Sequence, residues 1–467
     1  MTHRLLCTII FLSLLLTAEH AVFGSDFKIN DKQQVIFLGN SITEMGESPD
    51  GYVSLIRTLV ATLYPEKTIY ILNAGIGGHK SVDMNARFQR DVLQFKPDWV
   101  TVSVGINDVW HDFLNKRPEL KDLKGVPVDE FTTNLSQMIQ RAQSSGIKVA
   151  LFTTTVIGEN LQSEENKRLA DYNKRITKIA RKNNCLLVDL NKAFHDALSG
   201  HQSNGMKTSG VLTTDGVHLN RAGNWLMART ILSAFGVPEK RIDQSQPLIE
   251  KLIRDQYERD NVNSARYAEC NHEVGPPRSN EQRIVFYGSS SVDAWNLAKD
   301  FSTMSLLNRG IGGETTRQMI RRFHQDVLRL KPEAVILFYG SCNDFWEDKR
   351  MSPEETKLNT IRMVNMAKSN HINVAIGAIS PVNDYLPGKD FIASHPINAV
   401  KDLNTWLKSY CESQDMPYID FFSAVADSNE KLSAEYTYDG MHCNEHGYAK
   451  WKPLVLEALK GLNIIIE

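Results

Sequence analysis

Short apolar runs alternate along this chain with longer segments in which apolar residues recur at helical spacing. In the first half, the apolar runs are VIFLG, TIYILN, WVTVSVG, KVALFTTT and CLLVDL. Between them, residues 52–63 have a helical period, and Met84, Phe88, Val92 and Phe95 share one face of a second predicted helix. Apolar runs of this length are typical of strands buried on both faces of a parallel sheet. The pattern therefore predicts an α/β fold with helices covering a parallel sheet.

The second half repeats this pattern with RIVFYG, LLNRG, AVILFYG, NVAIGAIS and MPYIDF. Five segments of the two halves also match each other in the same order. They are QVIFLGNSITEMG with RIVFYGSSSVDAW, LNAGIGG with LNRGIGG, FQRDVLQFKP with FHQDVLRLKP, GINDVWHD with GSCNDFWED, and DGVH with DGMH. Matches of this number and order indicate a tandem duplication. The spacings between them differ, as expected for loops at the surface.

The length of 467 residues exceeds what one ordinary core supports and fits two or three domains. We place the first copy at residues 25–240 and the second copy at 275–467. The segment 241–274 is rich in charge and is predicted to be a linker with one helical stretch near 247–258. Each copy has its own five predicted strands, so we expect two independent domains, each with a complete site.

The N-terminus has the pattern of a secretory signal. Arg4 precedes an almost wholly apolar run at 5–16, and a polar break follows at Glu19. Because the run is too short to span a bilayer, we predict a signal peptide at 1–24 and a mature start at Ser25. The alternative is an uncleaved anchor. No later segment is apolar for long enough to cross a membrane, so the prediction is a secreted or periplasmic protein.

Composition excludes several classes of partner and cofactor. Hydrophobic residues make up 42% and charged residues 23%, and the net charge of −2 gives no attraction for nucleic acid or an anionic membrane. The six cysteines form neither a CxxC pair nor a cluster at zinc-ligand spacing. Cys342 and Cys443 adjoin two candidate site residues, so they are either disulfide-bonded or two buried thiols. No metal site is predicted.

Polar residues follow the predicted strands at matching places in the two copies. Ser41 follows the first strand, Gly78 the second and Asn107 the third, and Asp215 and His218 lie beyond the fifth. The corresponding residues of the second copy are Ser290, Gly313, Asn343, Asp439 and His442. Ligands of an open parallel sheet bind beyond the carboxyl ends of the strands. We therefore expect each set to converge at one edge of its sheet.

Such a set provides the groups that nucleophilic acyl transfer needs. A serine hydroxyl becomes a good nucleophile when a histidine accepts its proton, and a carboxylate fixes the orientation of the imidazole. The negative oxygen of the tetrahedral intermediate requires preorganised donors. The backbone N–H groups of Ser41 and Gly78 and the side-chain amide of Asn107 are candidates in the first copy.

These segments resemble the sequence blocks of the SGNH or GDSL hydrolase family. GNSIT, NAGIGG, GIND and DGVH carry the resemblance in the first copy, and GSSS, NRGIGG, GSCND and DGMH carry it in the second. It implies two flavodoxin-like three-layer α/β/α domains with five-stranded, mostly parallel sheets, and ester hydrolysis without a cofactor. Carried over by position, the nucleophiles are Ser41 and Ser290, the acid–base pairs are Asp215 with His218 and Asp439 with His442, and the oxyanion donors are Gly78 with Asn107 and Gly313 with Asn343.

The chain departs from the family pattern just before each nucleophile. The family usually has Asp there, whereas this chain has Asn40 and Ser289. Ser289, Ser290 and Ser291 stand in a row, and only the alignment of the two copies selects Ser290. The second glycine of a G-x-S-x-G elbow is absent, which argues against the ordinary α/β-hydrolase fold.

Three functions remain open at this stage. The first is removal of short acyl groups, acetyl above all, from a carbohydrate or another extracellular ester. The second is a lipase or lysophospholipase of the same mechanism, although no apolar lid segment is visible. The third is a binding or scaffold protein in which one or both copies have lost turnover. Trp110 and Trp346 follow the third block of each copy and are predicted to be packing residues, with a sugar or acyl platform as the alternative.

Overall fold

The structure is a computed structural model that describes residues 27–203, 209–279 and 281–465. The predicted signal peptide at 1–24 therefore lies outside the described residues. Within these three ranges, no helix is long and apolar enough to span a membrane. The cysteines of the described ranges are free, and those at 342 and 443 are two buried thiols.

Each copy forms one five-stranded sheet in which all neighbouring strands are parallel. The first sheet has the order β2-β1-β3-β4-β5, and the second has the equivalent order β7-β6-β8-β9-β10. The strands are β1 (Gln34–Gly39), β2 (Tyr70–Gly75), β3 (Trp99–Ser103), β4 (Lys148–Phe152), β5 (Leu186–Val188), β6 (Ile284–Gly288), β7 (Leu306–Gly310), β8 (Ala334–Phe338), β9 (Asn373–Gly377) and β10 (Tyr418–Ile419). The predicted α/β fold class and duplication are confirmed, and the strand order is that of flavodoxin.

Helices follow most of the strands. Those of the first copy are α1 (Ser41–Met45), α2 (Tyr52–Leu63), α3 (Ser81–Asp91), α4 (Ile106–Leu114), α5 (Val128–Ser144), α6 (Glu164–Lys182), α7 (Leu190–Ser203) and α8 (Arg221–Ala234). The connecting segment forms α9 (Glu239–Ala265) and α10 (Ala268–Val274). Those of the second copy are α11 (Ser290–Asp293), α12 (Leu297–Asp300), α13 (Thr316–Asp326), α14 (Pro353–Ser369), α15 (Phe391–Ser394), α16 (Ile397–Ser413) and α17 (Glu445–Gly461).

Burial explains why the apolar runs become strands and the periodic segments become helices. All six residues of β1 are buried, because the sheet is covered on both faces. In α3, Met84 and Phe88 are fully buried, as their shared helical face predicts. The helix ends at Asp91, however, and Phe95 closes a 3-10 turn instead of the last turn of the predicted helix.

The segment predicted to be a linker, 241–274, differs from that expectation because it is helical along most of its length. Ile242, Ile249 and Ile253 of α9 are buried and belong to the hydrophobic core of the first copy. Their spacing of seven and four residues puts them on one helical face. The many charged residues of the segment led to the linker prediction, although these apolar residues lie on one face of the helix. The part of the segment up to Ile253 is therefore packed into the first copy, whereas Tyr267 and Asn271 donate hydrogen bonds to Gly310 and Asp326 of the second copy.

The two copies also share packing through α14. Its counterpart in the first copy, α5, buries one face, whereas α14 is buried along most of its length. Leu358 and Ile361 join the core of the first copy, while Met363 and Val364 join a core of the second. A helix that is apolar on opposite faces is one that is covered on both sides. The copies are thus packed against each other across α14.

A buried ion cluster lies at the same boundary. Arg57 of the first copy forms two hydrogen bonds to Glu47, at 2.5 and 3.2 Å, and lies 3.5 Å from Glu355 of the second copy. Arg317 binds both carboxylate oxygens of Glu355 at 2.7 Å, and Arg321 donates to the backbone carbonyl of Glu47 at 2.7 Å. Burial acts to raise the pKa of Glu47, but the surrounding guanidinium groups lower it to about 2. The cluster joins charges from both copies.

Candidate active sites

The structure brings Ser41, Asp215 and His218 of the first copy together. Ser41 begins α1 directly beyond the carboxyl end of β1, where the side chain of Asn40 caps the helix by accepting the N–H of Ile42. The hydroxyl oxygen of Ser41 lies 2.9 Å from His218 Nε2, and His218 Nδ1 lies 2.6 Å from Asp215 Oδ2. This is the hydrogen-bond order that lets a histidine accept the serine proton while a carboxylate orients the ring.

The short loop 215–218 fixes its own carboxylate. Asp215 Oδ1 accepts the backbone N–H groups of Val217 at 3.0 Å and of His218 at 2.8 Å. Burial acts to raise the pKa of Asp215, but the hydrogen bonds from the His218 ring and from these N–H groups outweigh it and hold the pKa below its ordinary value. Asp215 is therefore ionised at neutral pH and oriented toward the imidazole.

The second copy repeats this geometry. Ser290 Oγ lies 2.9 Å from His442 Nε2, and His442 Nδ1 lies 2.7 Å from Asp439 Oδ2. The structure also distinguishes Ser290 from the serine before it, because the hydroxyl of Ser289 donates to the carbonyl of Tyr339 at 2.7 Å. Ser290 thus stands at the predicted place beside the histidine.

The glycine loop after the second strand lies beside each nucleophile. Gly78 has a φ of +75° and Gly313 has a φ of +79°, a conformation that favours glycine, and both residues are open to solvent. A Cβ on Gly77, the preceding residue, would lie 3.8 Å from Ser41 Cβ. The loop therefore approaches the nucleophile closely, as an oxyanion donor requires. The assignment of Gly78 and Gly313 to that role stays a prediction.

Each asparagine of the third block binds the same loop. Asn107 Nδ2 donates to the carbonyl of His79 at 3.0 Å, and Asn343 Nδ2 donates to the carbonyl of Glu314 at 2.9 Å. His79 and Glu314 directly follow Gly78 and Gly313 in the chain. A side-chain amide has two N–H groups, so this bond uses one and leaves the other for a substrate oxygen. The oxyanion role of the asparagines likewise stays a prediction.

Sequence reasoning missed a buried arginine behind each site. Arg87 donates to the carbonyls of Gly39 at 2.8 Å and Ala74 at 2.9 Å, to His79 Nδ1 at 3.1 Å and to Asp91 at 2.7 Å. It thereby joins the end of β1, the end of β2 and the glycine loop.

Arg322 repeats these contacts in the second copy. It binds the carbonyls of Gly288 and Arg309 and the side chains of Glu314 and Asp326. The signal that identifies both arginines is the pattern R-F-x-x-D, which occurs at 87–91 and again at 322–326.

The aspartate after each asparagine was also missed. Asp108 Oδ1 accepts the backbone N–H of Ser81 at 2.9 Å, and Asp344 Oδ1 accepts that of Thr316 at 2.8 Å. These N–H groups begin α3 and α13, so the aspartates connect the asparagine loop to the helix after the glycine loop. Burial raises the pKa of Asp108 to about 6. The repeated dipeptide Asn-Asp is the sequence signal.

The sites are open and hold no recognisable metal centre in the described residues. The side chains of His218 and His442 are 21% and 26% exposed, so a substrate reaches them from solvent. Across residues 27–203, 209–279 and 281–465, no group of three His, Cys, Asp or Glu residues is placed to hold a metal ion. Each site presents a hydrogen-bonded serine, histidine and aspartate, and the catalytic role of these residues stays a prediction.

The contact between Arg87 and His79 gives a pH-dependent stability that can be measured. Burial and the Arg87 charge lower the pKa of His79 to about 4. Because the folded state then binds the proton less well than the unfolded chain, this contribution is complete above pH 6.5 and is lost as the pH falls toward 4. We expect His79→Gln, whose amide oxygen can still accept from Arg87, to lose about 1 kcal/mol less of its unfolding free energy between pH 7 and pH 5 than the wild type. Urea titrations at both pH values measure this difference, and equal losses would contradict it.

Comparison with known proteins gives a family match over both copies. The sequence profile of the GDSL-like lipase/acylhydrolase family matches residues 37–226 and 284–450. An acetylxylan esterase of Geobacillus stearothermophilus is 32% identical over 222 residues, which cover 45% of this chain and 96% of that protein. The uncharacterized lipoprotein YqeF of Bacillus subtilis (strain 168) is 37% identical over 89 residues, which cover 19% of this chain and 34% of that protein.

Solved structures match one copy at a time. The crystal structure of an acetyl xylan esterase, AlAXEase, is 36% identical and has a TM-score of 0.39, covering 43% of this chain and 98% of that one. The acetylxylan esterase Axe2 of Geobacillus stearothermophilus is 30% identical and has a TM-score of 0.40, covering 45% of this chain and 98% of that one.

Proposed function

The chain belongs to the GDSL-like lipase/acylhydrolase family, and we propose that it removes short acyl groups, acetyl above all, from carbohydrate esters at two separate sites. The observation that carries the proposal is the series of hydrogen bonds that joins serine to histidine and histidine to aspartate in each copy. The serine–histidine distance is 2.9 Å in both. Family membership supports hydrolysis of an ester, and the acetylxylan esterase relative supports an acetylated carbohydrate as the substrate.

The reaction proposed for the first site begins with attack of Ser41 Oγ on the ester carbonyl carbon, while His218 Nε2 accepts the hydroxyl proton. Asp215 stabilises the resulting imidazolium through its bond to Nδ1. The carbonyl oxygen becomes negative and receives hydrogen bonds from backbone N–H groups of Ser41 and Gly78 and from the Asn107 amide. Collapse releases the alcohol, which takes the proton from His218. Water, deprotonated by His218, then attacks the acyl carbon. The bond from that carbon to Ser41 Oγ breaks, Oγ takes the proton back from His218, and the carboxylic acid leaves.

The openness of the sites supports a small acyl group on a large alcohol. His218 is partly exposed, and Asp215 beside it has a side chain that is half exposed, so the alcohol portion of the substrate can extend into solvent. A long acyl chain needs apolar surface to leave water, because each buried CH₂ contributes about 0.8 kcal/mol. The glycine loop and the 215–218 loop offer polar backbone instead. These features favour a short acyl group over the fatty acyl group of a lipid.

The experiment compares esters on the full chain. We expect hydrolysis of p-nitrophenyl acetate and release of acetate from acetylated xylo-oligosaccharides, with much slower turnover of p-nitrophenyl esters of long fatty acids and no effect of a chelator. Preference for long acyl chains would support the lipase alternative. Activity lost in chelator and restored by zinc would refute the serine mechanism. Absence of turnover on every ester would support the binding or scaffold alternative.

The asparagine role is tested separately in each copy. In a chain that carries Ser290→Ala, so that only the first site reacts, we expect Asn107→Ala to lower kcat about a hundredfold or more, because one oxyanion donor is lost. Asn343→Ala in a Ser41→Ala chain is the matched measurement for the second site. The folded fraction is checked by thermal unfolding, since each asparagine also holds the glycine loop. Unchanged kcat in a folded variant would exclude the oxyanion role.

We also propose that the chain is exported. The apolar run at 5–16 after Arg4 supports a signal peptide, and the match to a bacterial lipoprotein is consistent with export. Sequencing the N-terminus of protein recovered outside the producing cell tests this, with Ser25 as the expected first residue. Recovery of uncleaved chain in the membrane fraction would support the anchor instead.

A further inference from the structure

Tyr438 is an unusually exposed aromatic residue beside the second site. Its exposed fraction is 64%, although it directly precedes Asp439. Its ring lies 6.4 Å from the ring of His442, with an angle of 17° between the two planes. A ligand that covers exposed aromatic surface gains free energy, because it removes apolar area from water. Tyr438 thus presents an aromatic face at the mouth of the site.

One further aromatic ring borders the same loop, and a second ring packs against the first. A Cβ on Gly440 would lie 3.4 Å from Phe391 Cδ2, so the Phe391 ring borders the loop that carries Asp439. The ring of Trp346 meets that of Phe391 edge to face, with 6.4 Å between the ring centroids. Both rings are half-buried. We call Trp346, Phe391 and Tyr438 together the aromatic rim of the second site.

The first site is built differently at the corresponding places. Thr214 stands where the second copy has Tyr438, and its hydroxyl donates to the carbonyl of His218 at 3.1 Å. The atoms nearest to a Cβ on Gly216 belong to the backbone of Gly158 rather than to an aromatic ring. Trp110, which follows β3 in the chain, meets the His218 ring edge to face, with 6.3 Å between the ring centroids. The two sites therefore share their reactive groups but differ in the surface around them.

We propose that the aromatic rim binds a sugar ring of an acylated oligosaccharide and so sets the preference of the second site for oligosaccharide esters. The C–H face of a pyranose ring is apolar, and its hydroxyl groups point outward around the edge. Such a ring can cover the exposed face of Tyr438 while the hydroxyl groups stay in water. This inference rests on the proposed ester hydrolysis and specifies the substrate of one site.

The test measures selectivity in chains that have a single reactive site. In a Ser41→Ala chain, the ratio of kcat/KM for acetylated xylo-oligosaccharide to kcat/KM for p-nitrophenyl acetate reports binding of the sugar by the second site. We expect Tyr438→Ala to lower this ratio about fivefold, mainly through KM for the oligosaccharide, which corresponds to the loss of one aromatic contact. Tyr438→Phe keeps the ring and is expected to keep the ratio. Because Tyr438 is exposed, neither substitution disturbs the core.

A gain of function provides the converse measurement. In a Ser290→Ala chain, Thr214→Tyr places a tyrosine at the matching position of the first site and is expected to raise the same ratio. If Tyr438→Ala leaves the ratio unchanged while the Ser41→Ala chain hydrolyses both substrates, the rim does not bind sugar and this inference is overturned. If that chain hydrolyses neither substrate, the proposed function of the second site fails instead.

Discussion

A chain with alanine at both Ser41 and Ser290 is expected to lose ester hydrolysis, with kcat about 10⁴-fold or more below that of the wild type. Each hydroxyl is bonded to its own histidine at 2.9 Å, and alanine removes the atom that forms the acyl-enzyme. The remaining donors can still polarise a carbonyl, which accounts for a small residual rate. Release of p-nitrophenol from p-nitrophenyl acetate by the full chain measures the loss.

The single variants test whether the two sites react independently. Each site obtains its serine, aspartate and histidine from its own copy, so Ser41→Ala and Ser290→Ala should each remove one part of the rate, and the two residual rates should add up to that of the wild type. Ser289→Ala is the matched control, because this neighbouring hydroxyl binds the carbonyl of Tyr339 and not His442. A single variant that abolishes both activities would show that the sites are coupled. Substantial activity in the double variant would exclude both serines as nucleophiles.

The convergence of the site residues could be predicted from the sequence because parallel strands impose it. Ser41 and His218 are 177 residues apart in the chain, yet both follow strands whose carboxyl ends meet at one edge of the sheet. The duplication provided the second constraint: a residue present at the same place in both copies is tied to the common fold. Ser290 was selected from three adjacent serines in this way, and it is the one beside His442.

The supporting residues could not be predicted in the same way, because their roles depend on backbone groups that the sequence does not display. Arg87 binds the carbonyls of Gly39 and Ala74, and nothing in its own segment specifies those partners. The aromatic rim likewise joins residues from three loops of unequal length in the two copies. Trp346 illustrates this, because its ring centroid lies 5.1 Å from that of His395, whereas the ring of Trp110 meets that of His218.

Independent folding of the copies was predicted from their completeness, and the packing of α14 argues against it. Leu358 and Ile361 are 1% exposed in the intact chain and contact the first copy's core, so separating the copies would expose them to water. Each candidate site is therefore complete within one copy, whereas the hydrophobic packing joins the two copies. Each site takes its serine, histidine and aspartate from its own copy, while the packing of α14 predicts that the stability of the second copy depends on the first.

The contribution of the ion cluster between the copies can be measured as a change in the free energy of unfolding. Glu355 is 1% exposed and is the carboxylate that Arg317 binds twice at 2.7 Å. Glu355→Gln keeps the shape of the side chain but removes its negative charge, leaving Arg57, Arg317 and Arg321 around Glu47 alone. Removing one partner of a buried ion pair costs about 3–5 kcal/mol, because the remaining charge stays buried without compensation. We expect the unfolding free energy of the full chain to fall by that amount in a urea titration.

Glu354→Gln is the matched control for this measurement. Glu354 is the adjacent residue of α14, its side chain is 35% exposed, and its partner Lys357 lies 3.6 Å away. A partly exposed pair of this kind contributes less than about 1 kcal/mol, so the control should unfold near the wild-type midpoint. If the copies depend on each other, Glu355→Gln shifts the unfolding of both, and the tryptophan fluorescence of the first and second copies changes in one transition. Equal midpoints for the two variants would mean that the cluster contributes no net stability, whereas two separate transitions would mean that the copies are separate folding units.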